Sequence, residues 1–62
     1  MSGRVSTLVI TLKRRIWRIT LDGVFYGDYR TERHATESAE AAAAALRHEG
    51  RSVNVVAAGR MP

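Results

Sequence analysis

Ala35-Thr36-Glu37-Ser38-Ala39-Glu40-Ala41-Ala42-Ala43-Ala44-Ala45-Leu46-Arg47-His48-Glu49, followed by Gly50, is the stretch whose reading decides the fold. It predicts one helix. Ala35, Ala39, Ala42 and Leu46 recur at i, i+4, i+7 and i+11, one stripe of a 3.6-residue period, while Glu37, Glu40 and Arg47 fall off that stripe. A stripe made almost wholly of alanine lets the helix backbone come close to whatever it covers, so the bulky side chains must stand on the opposing layer. That layer is predicted to be a sheet. Glu37 and Glu40 sit near the positive end of the helix dipole, and Arg47 and His48 near the negative end. Gly50 supplies the left-handed cap. Thr31 and Thr36 both offer an N-cap hydroxyl, and the charge placement favours a start near Ala35.

Upstream of the helix the period changes to two. Val5–Leu12 alternates Leu8, Ile10 and Leu12 with Thr7, Val9 and Thr11, and both faces are apolar enough for a central strand. Arg15–Leu21 repeats the pattern, with Trp17, Ile19 and Leu21 on one face and Ile16, Arg18 and Thr20 on the other. Lys13, Arg14 and Arg15 then hold the connecting turn, although no Gly, Asn or Asp favours a tight two-residue type. Pairing Leu12 with Arg15 gathers Leu8, Ile10, Leu12, Trp17, Ile19 and Leu21 into one surface for the alanine stripe, with Trp17 as a core anchor.

Asp22-Gly23 between apolar runs marks a second hairpin, because both residues tolerate the positive φ of a type I′ turn. Val24–Arg30 is the third strand. With a two-residue loop, Val24 and Tyr26 face the core while Phe25 and Tyr29 point outward beside Arg18. A longer loop, or a bulge at Gly27, reverses some of these assignments. After the helix, Val53, Val55 and Ala57 alternate with Asn54 and Val56 in a last strand, Ser52–Ala57. Residues 1–4 and 59–62 read as tails of a single domain spanning 1–62.

The predicted fold is α+β, in the order β-β-β-α-β. One helix packs on one face of a small, three- to four-stranded, mostly antiparallel sheet. Two places are open to the last strand, beside the first in the order 3-2-1-4 or outside the third. The central character of Val5–Leu12 favours the former.

Composition narrows the function. A chain of 62 residues without cysteine buries only about 60% of the surface its unfolded form exposes, and it has no disulfide to compensate. A homodimer is expected as the simplest remedy. No apolar run approaches the length of a membrane span, and no signal-peptide pattern is present, so the expected location is cytoplasmic. Lys and Arg number 10 against 6 Asp and Glu, a formal charge of +4, and Lys13, Arg14, Arg15 and Arg18 crowd into six residues without an acid. Such a cluster favours an anionic partner.

Arginine forks phosphate oxygens and aromatic rings stack on bases. Lys13, Arg14, Arg15, Arg18, Phe25, Tyr29 and Arg30 are therefore the predicted nucleic-acid-binding residues on the first hairpin and the open sheet face. The competing expectation is a protein-interaction or regulatory accessory module, of a kind found in phages, acting through the open face or an edge strand. No metal, cofactor or catalytic set is expected. His34 and His48 lie at opposite ends of the helix, the glycines are too widely spaced for a phosphate loop, and no nucleophile accompanies Asp28, Glu32 and Glu37.

Trp17-(x)4-Asp22-Gly23-Val24-Phe25-Tyr26 followed by the alanine-rich helix resembles the arm-type DNA-binding domains of tyrosine integrases over about Arg15–Leu46. In those domains a three-stranded sheet with a glycine hairpin precedes a helix, whose opening Thr36-Glu37-Ser38-Ala39-Glu40-Ala41 approximates. That resemblance implies DNA contact through the sheet, at Arg18, Phe25 and Tyr29. The extra first strand and the strand after the helix depart from it. The whole pattern is also similar to small bacterial domains of unknown function with a tryptophan strand, a glycine hairpin, an alanine-rich helix and a final valine strand.

Overall fold

The computed structural model of the chain describes residues 5–59. Its elements are β1 (Val5–Lys13), β2 (Ile16–Leu21), β3 (Val24–Tyr29), α1 (Glu32–His48) and β4 (Ser52–Gly59). They form one α+β domain, with a four-stranded sheet in the order β3-β2-β1-β4 and β1 central. β1 pairs antiparallel with β2 and parallel with β4, and β2 pairs antiparallel with β3. Gly59 belongs to β4, so the final strand runs two residues past the expected end. Of the predicted tails at 1–4 and 59–62, residues 1–4 and 60–62 lie outside the described residues.

The helix starts at Glu32, three residues before the expected Ala35, because Thr31 takes the capping role. Its hydroxyl accepts from the His34 N–H at 3.1 Å, satisfying a backbone donor that the first helical turn leaves without a partner. At the other end Arg51 N–H donates to the Leu46 carbonyl and Gly50 N–H to that of Arg47, at 3.1 and 2.9 Å. With Gly50 at φ +89°, this is a Schellman closure. The chain is thereby turned straight into β4. Arg51 then reaches back to β1, donating to the Oγ of Ser6, which is buried.

Ala35, Ala39 and Ala43 are fully buried against Leu8, Ile10, Ile19 and Val53, with Ala42 and Leu46 at the margin. Small residues on the helix and large ones on the sheet fill the layer between them. Trp17, Leu21 and Tyr29 pack around this centre. Trp17 is thus a half-buried flank of the core, not its middle.

Both hairpins have two-residue loops. In the first, Lys13 pairs with Ile16, and the loop residues Arg14 and Arg15 have φ of 52° and 67°. In the second, Leu21 pairs with Val24 across Asp22 (53°) and Gly23 (84°). Both are of the primed kind that fits strand twist. Asp22 also ties the second turn to β1, accepting from Thr7 N–H at 2.8 Å and donating its own N–H to the Thr7 carbonyl at 2.9 Å.

The expected register of the first hairpin is corrected by two residues, since Leu12 faces Trp17 and Ile10 faces Ile19. A slip of two preserves the face of every side chain. Leu8, Ile10, Trp17, Ile19 and Leu21 therefore keep their place in or against the core, while Leu12 shares their face but lies outside the core cluster. In β3, a bulge separates the pairs Thr20–Phe25 and Ile19–Gly27, and the extra residue reverses the faces beyond it. Tyr29, expected to point outward, is instead opposite Trp17 and packs against the core. Its ring lies over Gly27, where a Cβ would come within 2.9 Å of the Tyr29 hydroxyl. Val24 and Tyr26, expected in the core, are 68% and 44% exposed.

Replacing Ala39 by leucine tests the close approach of helix and sheet. The larger side chain has no space at this fully buried position, and a loss of about 1–3 kcal/mol in unfolding free energy is expected in urea titrations.

Candidate nucleic-acid interface

The face of the sheet opposite α1 is uncovered. Alternation along paired strands places Thr7, Val9 and Thr11 of β1, Ile16, Arg18 and Thr20 of β2, Phe25 and Asp28 of β3, and Asn54 and Val56 of β4 on it. Its basic end is the first hairpin. There Lys13, Arg14, Ile16, Arg18 and Asp28 line an open groove of about 370 Å³.

Arg14 and Arg15 form the tip. A non-glycine residue in the left-handed region costs roughly 1–2 kcal/mol, and here two arginines occupy it in succession. Asparagine and glycine fill such positions with far less strain. The long pairing of β1 with β2, six residues on each strand, imposes the turn. Its consequence is that two arginines stand at the end of a paired ribbon, both exposed.

Arg18 is held differently. Its Nε and one terminal amine bond the two carboxylate oxygens of Asp28 at 2.9 and 3.2 Å, a fork-to-fork pair across the β2–β3 ladder. Its guanidinium carbon lies 5.3 Å from the centroid of the Phe25 ring, within cation–π range. The hydrogen bond from Arg18, aided by its charge, holds the Asp28 carboxyl below the usual aspartate range, and the same hydrogen bond raises Arg18. Both groups remain exposed, so the pair orients the guanidinium and contributes little to stability.

The structure thus brings Lys13, Arg14, Arg15, Arg18 and Phe25 together on one hairpin and the adjoining face. Arg30 follows β3 immediately and is exposed. Tyr29 is separated from them by the sheet itself. Among the described residues, Lys13, Arg14, Arg15 and Arg30 make no ion pair, so their charge is available to a ligand. Asp28 and Ile16 are site residues that the sequence reading did not place here. Only the bulged register, which sets Asp28 opposite Arg18, reveals the former.

Glu32 and His34 are exposed in the first turn of α1, on the side of the sheet away from Asp28. The described residues contain no group of acids and histidines able to hold a metal ion, and no helix is long and apolar enough to cross a membrane. The chain matches no protein-family model, no curated protein and no solved structure.

The Asp28 carboxyl should titrate below the ordinary value of about 3.9 when followed by carbon-detected NMR. Because its folded value is the lower one, the contribution of the pair is complete above the unfolded value and disappears as pH falls through the folded one. Arg18→Gln should return the midpoint upward to the ordinary range.

Proposed function

We propose that this chain is a small, non-catalytic nucleic-acid-binding protein of the cytoplasm, acting as a homodimer and engaging phosphates with Lys13, Arg14 and Arg15. The observation that carries this reading is the first hairpin, where two arginines stand in left-handed turn positions that smaller residues would occupy with less strain. A turn selected for folding alone would favour Asn-Gly. Retaining arginine at the tip puts two planar, permanently charged forks where a phosphate backbone can reach them.

Behind the tip, Phe25 is 58% exposed with Arg18 poised over it, which supports a stacking platform for an unpaired base. The Asp28 carboxylate in the groove repels phosphate there. The backbone of a bound strand would then follow the tip and Lys13, with its bases turned toward Phe25. Arg30, at the end of β3, is the further cation that such a strand would meet. Tyr29 is left out of this proposal, because its ring serves the core side.

The second reading, a protein-interaction module, is favoured by one observation. Val5, Ile16, Phe25 and Val56 are exposed apolar residues in the strands, material for an apolar contact. The two readings differ in their response to salt, since phosphate contacts weaken as counterions compete while apolar contacts hardly change.

Fluorescence anisotropy with labelled single- and double-stranded oligonucleotides, at several salt concentrations, tests the proposal. Binding should weaken with salt at a logarithmic slope of about −2 to −3, as three phosphate contacts require. Replacing Arg14-Arg15 by Asn-Gly should reduce affinity at least about tenfold and the slope by about 2. The same variant should be more stable to urea than the natural chain by about 1 kcal/mol or more, because the turn strain is relieved. Phe25→Ala should weaken single-strand binding more than duplex binding. Absence of binding at low salt, or full binding by the Asn-Gly variant, would refute the reading.

A further inference from the structure

The Arg18–Asp28 pair adds little to stability, because its side chains are 52% and 39% exposed. Arg18 is nonetheless fixed by both carboxylate oxygens and by the Phe25 ring. What the pair offers is an outward edge. The two bonds to Asp28 use two of the five N–H donors of the guanidinium and leave a lone pair on each carboxylate oxygen, so free donors and free acceptors stand side by side. Bonded to Arg18, the Asp28 carboxyl is held below the usual aspartate range, and it is an acceptor with no proton to donate.

We infer that this pair selects the base, an assignment that rests on the nucleic-acid reading above: Asp28 accepts from the N–H groups of a guanine resting on Phe25, and Arg18 donates to the guanine carbonyl beside them. Position favours it. Along β2, Arg18 sits between the basic tip and Thr20, the partner of Phe25. With Lys13, Arg14 and Ile16 the pair lines a groove of about 370 Å³, within the range of small-ligand sites. Phe25 stays 58% exposed with Arg18 over it, so a base can rest on the ring with its edge toward the pair.

Chemistry favours guanine. Uracil and thymine have one ring N–H flanked by two carbonyls, so their approach brings a carbonyl oxygen against the carboxylate. Adenine and cytosine offer one amine. Guanine alone sets a ring N–H and an amine side by side with a carbonyl next to them, which matches a carboxylate adjoining free N–H donors. Its two rings also cover more of Phe25 than a pyrimidine does.

Anisotropy titrations at low salt, with a short labelled oligothymidine strand carrying one central guanine, hypoxanthine, 7-deazaguanine or thymine, are the test. Guanine should bind about tenfold more tightly than thymine. Hypoxanthine, which lacks the amine, should lose most of that gain, whereas 7-deazaguanine keeps the edge that faces Asp28 and should keep the gain. Asp28→Asn, checked for folding by circular dichroism, should bind the all-thymine strand more tightly than the natural protein does and show no preference for guanine. A purely structural role for Asp28 would weaken every strand alike. Binding that requires Arg14 and Arg15 but treats guanine and thymine alike would overturn the base assignment and leave the phosphate reading standing. So would a guanine preference that persists in folded Asp28→Asn. Absence of binding by every strand would overturn both.

Discussion

Contact between the buried alanines of α1 and the aliphatic ridge of the sheet is the constraint on which the rest of this structure depends. Ala35, Ala39 and Ala43 present almost no side chain, so the helix settles directly onto Leu8, Ile10, Ile19 and Val53. Burying side chains the size of leucine and isoleucine contributes roughly 1.5–3 kcal/mol each. Two left-handed arginines cost about 2–4 kcal/mol together. The burial, reinforced by the β1–β2 ladder, is sufficient to hold the strained turn in place. A core this small is nonetheless sensitive to a single misplaced methylene group.

That balance gives the basic end of the molecule its character. The arginines of the first turn are fixed at the tip by strand pairing, while Arg18 is fixed on the face by Asp28 and Phe25. One set is free and the other is oriented. Free cations suit a flexible phosphate backbone, and an oriented guanidinium over a ring suits a flat partner. The proposed function follows from this division more than from the net charge.

Much of this was legible in the residues. The alanine period located the helix, Asp22-Gly23 located a hairpin, Gly50 located the helix end, and the two-sided apolar character of β1 put it at the centre of the sheet with β4 beside it. Arg14 and Arg15 were legible as a charged turn but not as a type I′ turn, because their intrinsic preference opposes that geometry and the flanking strands overrule it. The helix start was read three residues late, since Thr31 and Thr36 offer the same hydroxyl and only the contact with His34 N–H decides between them.

The face taken by the β3 aromatics was beyond the sequence. One inserted residue at the bulge reverses every later side chain, and its insertion depends on how β3 meets β2 and the core, not on local preference. Phe25, which precedes the bulge, stands outward as the two-residue loop requires, whereas beyond it Tyr29 folds over Gly27 on the core side and Asp28 arrives opposite Arg18. By itself the sequence determined the element order and the location of charge, which follow from periodicity and turn chemistry within short windows, and it favoured the strand order through the two-sided apolar character of β1. The tertiary structure alone decided the β3 register, the pairing that tethers Arg18 and the strained shape of the basic tip, because each results from packing between segments distant in the chain.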